Sequence, residues 1–332
     1  MPHGGALAQM RSWFPHAPAP FIDLSTGINP IPYKIDPISA DQITRLPEDF
    51  DVALLERVAA RSFGVADADL VQAGPGTQIF ISLLPRLIGL VSPRVAVLGP
   101  TYSEHALAWR YAEAQVTSVG RFGDLVDADI AVLCNPNNPD GRVVAVADLL
   151  ALADAMAAKG GWLVVDEAFA DLEEPGFSVA PMVGRPGLIV LRSFGKWSGL
   201  AGLRLGFVLG PIGFVMACDE ALGPWAVSGP ALAAGLQAIP DAAWRVEAGL
   251  RLRAEGARMD ALFAQAGLGL VGGTRLFRLY EGGQAQAVWR RLAEAGILAR
   301  RFDDMPNWLR LGLPAGEEEW SRLERSVAAA WS

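Results

Sequence analysis

The chain has 332 residues, 52% apolar and 19% charged, with a formal net charge of −8. That is ample material for one large and one smaller core, it is unlike a disordered chain, and its sign excludes general attraction to nucleic acid or anionic lipid. Two cysteines, Cys134 and Cys218, make no disulfide framework, and the N-terminus lacks the apolar run of a secretion signal, so reduced thiols in a cytoplasmic protein are expected. The longest apolar stretch, Gly206 to Cys218, contains Pro211 and is too short to span a membrane. The three histidines, His3, His16 and His105, have no metal-ligand spacing with the cysteines, and no metal is expected.

In chain order, residues 1 to about 45 are rich in Pro and Gly and read as an irregular arm with turns at Gly27 and Pro30 to Pro32. Leu54, Leu55, Val58, Ala59 and Ser62 repeat at helical spacing, and Gly64 ends that helix. A second helix is predicted over Ile79 to Val91, with Pro85 leaving its end open. Short, non-alternating apolar runs follow at Val95–Leu98, Ile130–Cys134, Trp162–Val165, Leu188–Leu191 and Gly206–Leu209. Runs of this kind are strands buried on both faces. Helix-compatible stretches between them, Ser103–Ala114 and Ala147–Lys159, predict a mainly parallel sheet between helices. A long helix is expected from Asp241, as N-cap, to Ala266, with Gly267 as its stop. The remainder alternates short strands and helices (Leu276–Tyr280, Ala285–Ala295, Leu309–Leu311, Glu317–Trp331) and reads as a smaller α+β domain. The expected division is an arm over 1–45 joining the small domain, a large domain over 46–240 and the small domain over 241–332.

Polar residues with chemical uses stand directly after the apolar runs: Tyr102, Asn138, Asp166, then Ser193 and Lys196. Ligands of open α/β sheets bind outside the carboxyl ends of the strands, so four strands deliver these groups to one rim. Asp166 alone serves equally well as a helix cap, or as a carboxylate keeping a pyridinium nitrogen protonated. Lys196 is one of three lysines, and its neighbours Phe194, Trp197 and Leu200 imply partial burial, which frees an amine for imine chemistry. Arg204, also flanked by apolar residues, calls for an anion. GPGTQ (Gly74 to Gln78) opens a helix and offers backbone N–H groups to an anion, although ordinary turn chemistry explains it as well.

NPNNPDG, DEAF and SFGKWSGLAGLRLGF, in that order and over nearly the whole chain, resemble the class I/II aminotransferases of pyridoxal 5′-phosphate fold type I. The resemblance implies an α/β fold, with a seven-stranded, mainly parallel sheet in the large domain. It implies that Lys196 carries pyridoxal 5′-phosphate as a Schiff base and that Asp166 pairs with the ring nitrogen. Asn138 would bond the ring oxygen, Tyr102 would stack on the ring, and Gly76, Thr77, Ser193 and Arg204 would hold the phosphate. Arg310, in WLRLGLP, matches the arginine for a substrate α-carboxylate.

Within that superfamily HGG (His3 to Gly5), DLSTGINP (Asp23 to Pro30) and GILARRF before WLRLGLP are most similar to the threonine-phosphate decarboxylases of cobalamin biosynthesis. The likeness implies decarboxylation of O-phospho-L-threonine to an aminopropanol phosphate, with His3 and Arg300 on the substrate phosphate and Asn29 lining the same pocket. It also implies a homodimer and, as a further partner, a corrinoid amide-forming enzyme. Two alternatives stand beside it: an aminotransferase acting on histidinol phosphate or a related phosphorylated amine, and a non-catalytic partner of the corrinoid enzyme. Four positions depart from the family pattern: Phe169 where relatives have Tyr, Leu46-Pro47 for Tyr-Pro, Gly195 for Ser or Thr, and Pro75 for Asn.

Overall fold

In the computed structural model residues 4–174 and 176–328 are described, and within them the chain forms two compact units. The larger comprises Tyr33–Asn138 and Val143–Arg245; the smaller comprises residues up to Pro32, Pro139–Arg142 and Val246 onward. The switch of Pro139–Arg142 into the smaller unit left no compositional mark in the sequence. His3 and the expected end of the last helix lie outside the described residues.

Among the described residues the larger unit is built on a seven-stranded sheet in the order Val71–Gly74, Gly206–Leu209, Leu188–Ser193, Trp162–Asp166, Ile130–Cys134, Arg94–Leu98, Gln115–Val119. Only Gly206–Leu209 runs antiparallel to its neighbours, so the sheet is mainly parallel, as expected. The lack of alternation has a direct cause. Val95, Val97, Ile130, Val132, Val164, Ile189, Leu191 and Val208 bury one face against Phe80, Ile81, Leu84, Trp109 and Phe214 from helices Thr77–Ile88, Ser103–Tyr111 and Ile212–Leu222. Residues of opposite parity, among them Ala131, Leu133, Leu163, Val165 and Val190, are fully buried as well. The Gly206–Cys218 apolar stretch resolves into a strand and a helix, with Pro211 as the helix N-cap.

Two strands of this sheet, and Gly269–Thr274 of the smaller unit, are not expected from the sequence. Gln115–Val119 is a mostly exposed edge strand with polar residues, and Val71–Gly74 is only four residues long. The helix at Thr77–Ile88 starts earlier than predicted and ends at Gly89, which adopts φ +66°; Pro85 sits in its last turn without stopping it. The long helix runs Ala242–Gln265, and Asp241 Oδ1 accepts a hydrogen bond from the Trp244 N–H at 2.9 Å, as a cap should.

The smaller unit carries an antiparallel sheet in the order Arg300–Arg301, Trp308–Leu311, Phe277–Glu281, Gly269–Thr274, with helices Ala285–Glu294 and Glu317–Ala328. The arm is less irregular than expected. It contains the helix Leu7–Trp13 and a strand, Ile22–Asp23, that pairs in parallel with Ile297–Leu298.

Candidate active site

Four adjacent strands of the larger unit, Arg94–Leu98, Ile130–Cys134, Trp162–Asp166 and Leu188–Ser193, are mutually parallel and end on one rim. A cavity of about 170 Å³ opens there. Its lining includes all eight cofactor candidates: Gly76, Thr77, Tyr102, Asn138, Asp166, Ser193, Lys196 and Arg204. That volume falls below the roughly 300–1,000 Å³ that encloses a drug-sized ligand, so the cavity suits a small one.

The floor is polar and buried. Asp166, 5% exposed, ends its strand; its Oδ1 accepts from the Ala168 N–H at 3.0 Å. Its Oδ2 accepts from His105 Nε2 at 2.8 Å, and Cys134 Sγ stands 3.9 Å from the same oxygen. His105 is wholly buried on the helix Ser103–Tyr111. Burial opposes a charge on its ring, but Cys134 and Asp166 outweigh that and push it up to about 10. The sequence spacing of His105 bears only on metal binding with the cysteines and does not show this role. Its place three residues after Tyr102, the N-cap of the same helix, is the available signal. Tyr102 donates to Gln78 Oε1 at 3.0 Å, and burial raises its phenol to about 12. Gln78 is a second unforeseen wall residue. Above the floor the Phe169 ring centroid lies 5.7 Å from Lys196 Nζ.

An anion cradle forms one side. Gly76, at φ +85°, is the N-cap of the twelve-residue helix Thr77–Ile88, whose first N–H groups have no intrahelical acceptor. A Cβ on Gly76 would stand 2.5 Å from Arg204 Nη2, so the guanidinium and the helix start approach each other only because this residue is glycine. Gly206 has the same office toward Thr77: its Cβ would lie 2.6 Å from that backbone nitrogen. Arg204 is itself at φ +57°, and its Nη1 donates to the Ala201 carbonyl at 3.0 Å. The partial burial expected for Arg204 is not observed: it is exposed, because the cavity it faces is open.

Glu167 and Arg192 form a buried ion pair beneath this rim. Glu167, fully buried, accepts from Arg192 Nη1 at 2.9 Å and from the Val179 N–H at 2.8 Å, and Ser178 Oγ donates to it as well. Arg192 also reaches Asp171 at 2.5 Å. Burial pushes Glu167 upward against the pull of Arg192. A buried pair of this kind is costly to break from one side, and it ties the residue after Asp166 to the strand that leads to Lys196. One departure from the family pattern also has a steric reason. A Cβ at Gly195 would sit 2.7 Å from Ala201 Cα, so Ser or Thr does not fit this backbone.

In the smaller unit Arg300 and Arg310 are direct partners across two antiparallel strands. Like charges in register destabilise a sheet unless an anion lies between or beside them. Arg310 is 7% exposed and donates to the Ser25 carbonyl at 2.7 Å; burial, and then Arg300, hold it down to about 10. Burial lowers Arg300 too. Asn29 is buried in the same unit, and its Oδ1 accepts from Arg251 Nη2 at 2.9 Å and from the Ile31 N–H at 3.2 Å.

The donor set of the cavity in the larger unit fits pyridoxal 5′-phosphate: an amine, a carboxylate at the end of a strand, an aromatic wall and a glycine-lined anion cradle. Comparison with known proteins agrees. Residues 42–322 match the family described as aminotransferase class I and II. The chain is 42% identical over 328 residues to a threonine-phosphate decarboxylase of Pseudomonas aeruginosa, covering 98% of this chain and 96% of that one. It is 43% identical over 331 residues to one from a Sinorhizobium species (98% and 97% covered). A histidinol-phosphate aminotransferase of Symbiobacterium thermophilum is 31% identical over 304 residues (87% and 83%). The fold is shared with the histidinol-phosphate aminotransferase of Sinorhizobium meliloti in complex with pyridoxal-5′-phosphate, at a TM-score of 0.82 and 19% identity (98% and 96%). With the L-threonine-O-3-phosphate decarboxylase of Porphyromonas gingivalis the TM-score is 0.77 at 20% identity (93% and 98%). The chain belongs to the class I and II aminotransferase family.

Proposed function

We propose that this chain binds pyridoxal 5′-phosphate at Lys196 and decarboxylates O-phospho-L-threonine to (R)-1-amino-2-propanol O-2-phosphate. The observation that carries this reading is identity of 42–43% over nearly the whole chain to two threonine-phosphate decarboxylases, against 31% to a histidinol-phosphate aminotransferase. The cofactor, when bound, supplies an aromatic ring able to accept the electron pair of a breaking bond. The chain's residues do the rest. Lys196 Nζ is the amine that holds the aldehyde carbon. Asp166, fixed by His105 and the Ala168 N–H, holds a proton on the ring nitrogen. Tyr102 covers the ring, Asn138 bonds its oxygen, and Gly76, Thr77, Ser193 and Arg204 hold its phosphate.

Substrate recognition falls to the smaller unit. Arg310 takes the carboxylate, Arg300 and His3 take the phosphate, and Asn29 lines the site. In this reading the grip at both charged ends orients the substrate so that the bond to the carboxylate, rather than the Cα–H bond, is the one aligned for cleavage. Lys196, released when the substrate amine takes its place at the aldehyde carbon, would then deliver a proton to Cα, where carbon dioxide has left its electron pair. The paired guanidiniums of Arg300 and Arg310 support a doubly anionic substrate. The direct test is to incubate the cofactor-loaded protein with carboxyl-labelled O-phospho-L-threonine and no keto acid. Release of labelled carbon dioxide is expected. Amino transfer to an added keto acid without that release points instead to the aminotransferase reading, which the 31% relative supports.

The two units correspond, in this reading, to a cofactor-binding large domain and a small domain joined by the N-terminal arm. Ile43, Leu46, Phe50, Met216 and Trp225 are exposed apolar side chains of the larger unit, and they support a homodimer. Light scattering is the measurement for it. No described helix is long and apolar enough to cross a membrane. A purely non-catalytic partnership with a corrinoid enzyme is disfavoured by the intact Lys196 and Asp166.

A further inference from the structure

We propose that His105, Cys134 and Asp166 form a binding site for a thiophilic divalent cation, such as zinc, when the cavity holds no cofactor. The three side chains offer one nitrogen, one sulfur and one oxygen, all buried and all within 4.8 Å of one another. Asp166 Oδ2 is 2.8 Å from His105 Nε2 and 3.9 Å from Cys134 Sγ. A tetrahedral zinc ion, bonded at about 2.0–2.3 Å, holds such donors roughly 3.2–3.8 Å apart, so side-chain shifts of under about 1 Å assemble the site. Thiolate and carboxylate together match the charge of a dication.

The surroundings suit an ion. The Thr101 hydroxyl, 3.1 Å from Cys134 Sγ, is placed to donate to a thiolate, and the Ala168 N–H already fixes the carboxylate through Oδ1. Cys134 and Asp166 line the cavity, which supplies an entry path and an open fourth position for water. Two features limit affinity. The ion must displace the proton that His105 shares with Asp166 and the thiol proton, and His105 Nδ1 has no hydrogen-bond partner to orient the ring. The other cysteine, Cys218, is buried elsewhere and belongs to no such cluster among the described residues.

Asp166 is also the carboxylate assigned to the cofactor ring nitrogen, so ion and cofactor exclude each other. That clause rests on the proposed function; the metal site does not. The test uses the full-length protein stripped of cofactor and metal, titrated with cobalt(II) as the spectroscopic probe. One equivalent is expected to give a thiolate-to-cobalt charge-transfer band in the near ultraviolet. The band should persist in Cys218→Ala and vanish in Cys134→Ser and His105→Asn, each checked for folding by circular dichroism. Pyridoxal phosphate should abolish the band, and zinc at ten times its own Kd should weaken cofactor loading about tenfold, read by borohydride trapping and mass. No band in the wild-type protein, or a band that survives Cys134→Ser, overturns the site. A cobalt band with no cofactor loading at all leaves the site standing and overturns the cofactor reading.

Discussion

Gly76→Ala isolates the anion cradle. The added Cβ would lie 2.5 Å from Arg204 Nη2 and 3.2 Å from its Cζ, and the backbone would keep an L residue at φ +85°. That backbone, at φ +85° and ψ 163°, is one that side chains other than glycine scarcely adopt, and holding alanine there costs about 1–3 kcal/mol of fold stability. The clash falls on the end of a flexible side chain, so Arg204 swings away and the fold survives. Loss of its charge-assisted bond to the cofactor phosphate costs about 1.5 kcal/mol, the low end of the range because Arg204 is exposed. At 1.4 kcal/mol per tenfold, pyridoxal phosphate should bind about tenfold more weakly. Absorbance titration of the stripped protein measures this, with Gly202→Ala as control, since a Cβ there meets nothing within 4 Å. Phosphate-free pyridoxal should bind wild type and variant alike. Equal loss for both compounds, or wild-type affinity in a folded Gly76→Ala protein, refutes the assignment of this corner to the phosphate.

Lys196→Ala should release no carbon dioxide, and borohydride should no longer fix the cofactor covalently to the chain, as read by mass. Cys134 and Asp166 push the His105 ring above its ordinary 6.5 to about 10, so its pairing with them contributes stability in full below pH 6.5 and loses it as pH rises toward 10. Melting curves of the cofactor-free protein should therefore show a gap between wild type and His105→Asn that shrinks over that window; a constant gap contradicts the pairing. Arg300→Gln should raise KM for O-phospho-L-threonine about tenfold or more while kcat moves less, and sulfate should raise the Tm of wild type but not of the variant. Gly195→Ser should lose about 1–3 kcal/mol by chemical denaturation, because its Cβ would meet Ala201 Cα at 2.7 Å.

Much of the fold was legible because strands buried on both faces need apolar runs, and runs as short as Ile130–Cys134 and Leu188–Leu191, rich in Val, Leu and Ile, are too short for helices. The rim was legible for a related reason: a polar residue directly after such a run has only the end of the sheet to occupy. Gln115–Val119 was not, since an edge strand carries no apolar demand. His105 and Arg192 were missed because their roles depend on partners 61 and 25 residues away, Asp166 and Glu167. The exposure of Arg204 was misjudged because flanking apolar residues say nothing about an open cavity.

All eight groups assigned to the cofactor lie in the larger unit, while the guanidinium pair and Asn29 lie in the smaller. Inheritance can act on these two sets separately. On the proposed assignment, substitutions at Arg300, Arg310 or Asn29 would alter which charged ends a substrate must carry without touching the amine, carboxylate or cradle assigned to the ring. A scaffold partitioned in this way can change its clientele while its chemistry is conserved, and an engineer seeking new substrates for this chain should begin with the strands Arg300–Arg301 and Trp308–Leu311.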